Sequence, residues 1–115
     1  MFKIKRIYDP ALPSDGYRIL VDRLWPRGIS KARAQINEWL REVAPTPDLI
    51  KWFGHQEENW PEFRNQYLKQ LKQNSTQIKH LQSLADKHPV VTLLYGARDT
   101  QHNQAVVLLE YLNKQ

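Results

Sequence analysis

Two apolar runs, Ile19-Leu20-Val21 and Val90 to Tyr95 (VVTLLY), limit the fold most, because each stays apolar where a half-exposed strand would alternate. Runs of that kind are buried on both faces, as in parallel sheets covered by helices, whereas antiparallel strands with one wet face alternate apolar and polar residues. Phe2 to Tyr8 reads differently: Phe2, Ile4 and Ile7 interleave approximately with Lys3, Lys5 and Arg6, the pattern of a half-buried strand. A stiff loop, Asp9, Pro10, Pro13, Ser14 and Gly16, joins it to the strand expected over Tyr17 to Asp22.

Helical spacing fills the intervening chain. Ile29, Ala32, Ile36, Trp39, Leu40 and Val43 recur at three and four residues, which predicts a helix opening at Ser30 and ended by Pro45. Thr46-Pro47-Asp48 is a second helix start, since Pro at the first helical position loses no hydrogen bond and Asp suits the positive dipole end; Gly54 closes that helix. Trp60, Phe63, Tyr67, Leu68 and Leu71 form a third stripe after Asn59, and Ile78, Leu81, Leu84 and Ala85 a fourth after Asn74 or Ser75, stopped by His88 and Pro89. Ala105, Leu108, Leu109 and Leu112 mark the buried face of a terminal helix capped by Asp99 or Thr100.

Strands feeding helices through short loops predict an α/β fold: a small, mainly parallel sheet packed against several α-helices in a Rossmann-like three-layer arrangement. The orientation of the first strand stays open, because the residues joining it to the second are fewer than the dozen usual in a parallel crossover. At 115 residues, with no repeat or linker, the chain is expected to form one domain, 1–115.

The composition narrows the chemistry. Without cysteine, disulfides, thiolate catalysis and cysteine metal sites are excluded, and the four histidines, at 55, 80, 88 and 102, show no metal-ligand spacing. No apolar stretch approaches the roughly 18 to 20 residues that cross a bilayer, and MFKIKRIYDP carries charges where a signal peptide is apolar, so a cytoplasmic protein without membrane contact is expected. The net charge of +5 comes from the first third: residues 1–41 hold nine Lys and Arg against four Asp and Glu, the rest eight against eight. No phosphate-loop, nucleophile-elbow or RNA-binding aromatic signature is present, and no cofactor is expected.

Ligands of parallel sheets sit beyond the carboxyl ends of the strands, so the loops Tyr8 to Gly16, Arg23 to Ser30 and Gly96 to Asn103 are expected to meet. In the second loop Arg23 and Arg27 can both face an anion, Trp25 and Pro26 stiffen the wall, Gly28 allows close approach, and Lys31 in the first helical turn opposes the dipole unless something negative is near. The competing reading pairs Arg23 and Arg27 with Asp9, Asp15 or Asp22. In the third loop His102 is the proton-transfer candidate, oriented by Asp99, with Tyr95, Arg98 and Asn103 beside it; plain helix capping is the alternative. Trp52, Phe53, Gly54 and His55 line either a pocket or the core.

YRILVDRLWPRGISK, with WLREVAPT, LIKWFGH, WPEFRNQY and TLLYGARDTQHNQAVVL, closely resembles the YeaO-like branch of a bacterial domain-of-unknown-function family, over nearly the whole chain. The resemblance implies an α/β domain with polar motifs at strand ends. Its motif positions fall on Asp22, Arg23, Trp25, Pro26, Arg27, Gly28 and Lys31, on Trp52, Phe53, Trp60, Phe63 and Tyr67, and on Tyr95, Asp99 and Asn103. The chain departs from that pattern at Ile50 (usually Arg), Gln70 (usually Glu), Arg98 (commonly Lys) and Gln104 (frequently His).

Together these readings lead to a small-anion site for a phosphate- or carboxylate-bearing metabolite or nucleotide. Arg23, Trp25, Arg27, Lys31, Arg98, Asp99 and Asn103 would bind, and Asp22, Tyr95 and His102 would serve acid–base chemistry if there is turnover. The alternative is a non-catalytic nucleic-acid or regulatory module using Lys3, Lys5, Arg6, Arg18 and Arg33. A third reading is a dimerising partner with an aromatic patch among residues 52–60.

Overall fold

The computed structural model describes residues 1–115. Its four strands are β1 (Phe2–Arg6), β2 (Tyr17–Leu20), β3 (Glu38–Trp39) and β4 (Val91–Tyr95), all parallel, in the order β1-β4-β2-β3. The two mainly apolar runs thus lie side by side in the centre, with Ile19 opposite Leu93 and Leu20 opposite Leu94, while the half-polar β1 and the two-residue β3 take the edges. Placing Val, Leu and Ile where both faces are covered and the lysines at an edge follows directly from the cost of burying charge.

The first strand is parallel although only residues 7–16 separate it from β2. Its neighbour is β4, so this segment passes over β4 to reach β2. Ten extended residues reach roughly 33 Å, more than the roughly 10 Å across two strand spacings plus about 17 Å back along one strand, so no helix is needed.

One face of the sheet carries the main core. Ile19, Val21, Val91, Leu93 and Tyr95 pack there against α2 (Pro47–Phe53), α3 (Trp60–Gln73), α4 (Ser75–Lys87) and α5 (Gln104–Asn113) through Phe53, Phe63, Tyr67, Leu81 and Leu108. Tyr67, buried in this layer, donates its hydroxyl to Val43 O at 2.7 Å. The opposite face is covered by loops and one helical turn, α1 (Lys31–Ala34), with Ile7, Leu20, Ile29, Ala34 and Leu94 forming a smaller core. Beside it Asp15, 2% exposed, accepts from Arg18 Nη1 at 2.5 Å and Lys5 Nζ at 3.1 Å, while Arg18 also donates to Gln35 O and Ala34 O.

The helix expected from Ser30 to Val43 is not formed. Ser30 does cap a helix, accepting from Arg33 N, but Gln35 turns left-handed (φ 47, ψ 47) after one turn. Asn37 then accepts Arg18 N on its side-chain oxygen, Glu38 and Trp39 pair with β2, and residues 41–43 form a 3-10 turn. The apolar spacing read as one stripe is divided between two cores: Ile29, Ile36 and Trp39 belong to the loop-covered face, and Leu40 and Val43 to the helical face. Pairing with β2 outweighs a helical preference that this segment holds only weakly.

The other helices follow their signals. Thr46 caps α2 by accepting from Leu49 N, Pro47 opens it, and Gly54 ends it left-handed. The terminal helix begins later than expected: Asn103, not Asp99 or Thr100, is the cap, accepting from Val106 N.

Candidate functional site

Because all four strands run the same way, their following segments emerge at one end, and all four contribute to a cleft of about 450 Å³, the segment after β1 through Tyr8. The segment after β2 supplies Asp22 to Arg27, the segment after β4 supplies Gly96, Ala97 and Arg98, and the segment after β3 supplies Ala44 and Pro45. Tyr8, Ile50, His55 and Gln104 complete the wall. Of the expected site residues, Asp22, Arg23, Trp25, Arg27 and Arg98 are therefore brought together.

The loop after β2 is fixed by its neighbours rather than by its own backbone. Trp39 Nε1 donates to Asp22 O (2.7 Å), Arg41 Nε to Arg23 O (3.3 Å), Tyr8 Oη to Arg27 O (2.7 Å) and Trp25 Nε1 to Ile29 O (2.8 Å). Three loop carbonyls are thus held from outside and a fourth by the loop's own Trp25, which additionally packs edge-on against Trp39 at 5.4 Å. A wall built this way loses little entropy when a ligand arrives. Gly28 serves the loop by its left-handed φ of 74, with open space where a side chain would stand, so it makes a turn and not the expected close approach. That approach is made by Gly96, where an added Cβ would lie 3.0 Å from Asp22 Oδ2.

Asp22 forms the floor. Its carboxylate accepts from Gly96 N at 2.9 Å and from Gln104 Nε2, which ties the ends of β2, β4 and the start of α5 together. Burial pushes its carboxyl up to about 6, and the hydrogen bonds from Gly96 and Gln104 only partly oppose this.

The three cations of the cleft differ in availability. Arg23 is taken by the backbone, donating from Nε to Pro45 O (3.1 Å) and from Nη2 to Ala44 O (3.0 Å), so it anchors the segment after β3. Arg27 and Arg98 are exposed, and no side-chain hydrogen bond or ion pair holds either guanidinium. The pairing of Arg23 and Arg27 with Asp9, Asp15 or Asp22 is not seen, because Asp15 is occupied by Lys5 and Arg18 on the far face.

Lys31, Tyr95, Asp99, His102 and Asn103 do not line the cleft. Lys31 is exposed on α1, which is a single turn and offers little dipole to oppose. Tyr95 points into the helical core, where burial pushes its phenol up against the opposing charge of Arg6. Asp99 accepts from Gln101 N and His102 N, a local turn that holds its carboxyl below the ordinary value; His102 contacts Asp99 Oδ2 at 2.9 Å and lies edge-on to Trp60 at 5.2 Å. Asn103 is spent on its cap and on Asp99 O. A shift of two residues decides this: α5 starts at Gln104, so Gln104 and not His102 faces Asp22.

The basic first third is largely consumed internally. Lys3 donates to Ser14 O, Lys5 to Asp15, Arg6 to Ala97 O, and Arg18 is buried. Of the aromatic group at 52–60, Trp52 is half exposed, whereas Phe53 stacks on Phe63 at 4.3 Å and Trp60 packs against both. His80 contacts Glu38 at 2.7 Å and His88 stacks on Tyr17 at 4.5 Å. No three His, Cys, Asp or Glu side chains are grouped to hold a metal ion, and no helix is long and apolar enough to cross a membrane. Three wall residues carried no sequence signal for a place in the site: Ala44, Pro45 and Ile50 line the cleft beyond β3, where Arg23 holds the chain.

A parallel α/β sheet with an arginine-bearing cleft at its carboxyl end defines the class of this protein. The chain belongs to the family whose model, described as the Inactive DUF488-N3 subclade, matches residues 1–115. It is 49% identical over 108 residues to the Uncharacterized protein YeaO of Escherichia coli (strain K12), spanning 94% of this chain and 93% of that one. It is 36% identical over 111 residues to the Uncharacterized protein Rv3073c of Mycobacterium tuberculosis (strain ATCC 25618 / H37Rv), spanning 96% and 92%. No solved structure matches.

Proposed function

We propose that the strand-end cleft binds a small anionic metabolite, bearing phosphate or carboxylate, without turning it over. The single observation behind the reading is that Arg27 and Arg98, on different loops, line one cleft with no carboxylate partner of their own. Unpaired guanidiniums on a fixed wall are what recognition of a carboxylate or phosphate requires. The lining holds three arginines against one carboxyl, Asp22, which keeps the cleft positive.

Binding without turnover is favoured by the company Asp22 keeps. His102 lies outside the cleft, and position 104 places an amide and not an imidazole on the carboxylate, so no proton relay runs through that pair. The word "Inactive" in the description of the matching family agrees with this. A nucleic-acid surface has less support, since Lys3, Lys5, Arg6 and Arg18 are engaged within the fold.

Calorimetric titration with inorganic phosphate, citrate and AMP at low salt tests the reading, comparing the natural chain with Arg27→Ala and Arg98→Ala. Each charge-assisted hydrogen bond contributes about 1.5 to 3 kcal/mol, so each substitution should weaken binding roughly ten- to hundredfold while the melting temperature changes little. Equal affinities in all three proteins, or no binding of any probe, would sink the proposal.

A further inference from the structure

Resting on the anion reading, we infer that the cleft takes an organic anion with an apolar body of several carbons, its head at Arg27 and Arg98 and its body against Leu24, Pro45 and Ile50. Size is the first observation. A volume of about 450 Å³ holds on the order of fifteen waters at roughly 30 Å³ each, several times what a bare phosphate occupies, and lies in the range of small-molecule sites.

The second observation is where the apolar surface lies. Only five large hydrophobic side chains are exposed in the whole chain, and two of them, Leu24 at 75% and Ile50 at 39%, line this cleft. They come from separate elements, the loop after β2 and helix α2, and Ala44 and Pro45 lie between those elements in the chain, tied to the β2 loop by Arg23. Leu24 follows a residue whose guanidinium is anchored and precedes an indole bonded to Ile29 O, so it is displayed by a fixed backbone. An inorganic ion at the arginines would leave this wall wet, whereas a ligand carrying methylenes would cover it and remove apolar area from water.

The distribution of charge then orients the ligand. The cations Arg27 and Arg98 have no internal partner and are available to a head group, while the third, Arg23, keeps its charge but has its guanidinium tied to the carbonyls of Ala44 and Pro45 beside the apolar wall. Carboxylates and monoalkyl phosphates share the required chemistry, a planar or tetrahedral anion on an alkyl body, and both suit guanidinium donors.

Two homologous series tested by NMR titration at low salt separate the outcomes: acetate, butyrate, hexanoate and octanoate, and inorganic, ethyl, butyl and hexyl phosphate. Affinity should tighten about two- to fourfold per added methylene, fourfold being the value for complete burial, until the wall is covered; the better series identifies the head group. In Leu24→Ser/Ile50→Ser, at two exposed positions, the dependence on chain length should flatten while acetate and inorganic phosphate bind as before. Binding that is insensitive to chain length in the natural protein, or a dependence that survives the double substitution, overturns the inference and leaves the anion reading standing. Hexanoate that binds Arg27→Ala/Arg98→Ala as well as the natural chain overturns both.

Discussion

Replacing Asp22 by Asn should stabilise the fold at neutral pH and remove a pH dependence between about pH 4 and 6. The carboxyl sits at about 6 in the folded chain against an ordinary 3.8, chiefly because burial disfavours its charge. The folded state therefore holds this proton more tightly than the unfolded state. Its contribution to stability is most favourable below 3.8, falls as the pH rises towards about 6, and is constant above that. The difference, 6 minus 3.8, is about 2.2 pH units, and at 1.36 kcal/mol per unit it corresponds to roughly 3 kcal/mol. Water in the open cleft screens part of this, so about 2 kcal/mol is expected. Asparagine keeps an oxygen for the Gly96 N–H, and the Gln104 amide can turn its oxygen towards the new Nδ2, so both contacts survive. Urea unfolding of both proteins at pH 4, 5, 6 and 7.5 provides the measurement. Asp15, Asp99 and Glu110 are all lowered, so their contributions are lost only as pH falls below their ordinary 3.8 to 4.5, and they cancel in the difference between the two proteins. A variant less stable than the natural chain at pH 7.5, or a difference that does not change with pH, would refute the account of a destabilised buried carboxyl.

Two further outcomes follow from the cores. Asp15→Ala leaves Arg18, 5% exposed, without its carboxylate, and should cost about 3 to 5 kcal/mol; a loss below about 1 kcal/mol in thermal unfolding would mean that Arg18 finds water or another acceptor. The hydrogen bonds from Leu12, Lys5 and Arg18 outweigh burial in holding the Asp15 carboxyl low, so the difference between this variant and the natural chain should be full above 3.8 and shrink as the pH falls through the folded value. Tyr67→Phe strands Val43 O in the helical core and should cost about 1 to 2 kcal/mol, read from denaturant midpoints at constant slope; an unchanged midpoint would show that the carbonyl is satisfied otherwise.

The parallel sheet was legible because Ile19 to Val21 and Val90 to Tyr95, with Thr92 its one polar residue, do not alternate, a pattern that double-sided burial rewards. Helices α2 to α5 were legible because their stripes are long and bounded by Pro, Gly and Asn. The segment 30–43 misled because its apolar residues serve two different cores, and a spacing of three and four cannot tell one stripe from two sides of a sheet edge. Within the cleft, Asp22, Arg23, Trp25, Arg27 and Arg98 were readable from their position after apolar strands. His55 was readable only as one of two alternatives, pocket or core, and Ala44, Pro45, Ile50 and Gln104 were not readable as wall residues.

What the chain determines by itself is which residues must be dry: Ile19, Leu20, Val21, Leu93 and Leu94 fix a buried parallel sheet wherever they meet, because transfer from water depends on the side chains and little on their partners. What only the tertiary structure decides is which polar groups face one another. Hydrogen bonds act over about 3 Å, so the start of α5 at Gln104 gives Asp22 an amide instead of an imidazole, two carbonyls take Arg23 out of service, and Arg27 and Arg98 are left as the free cations of the cleft.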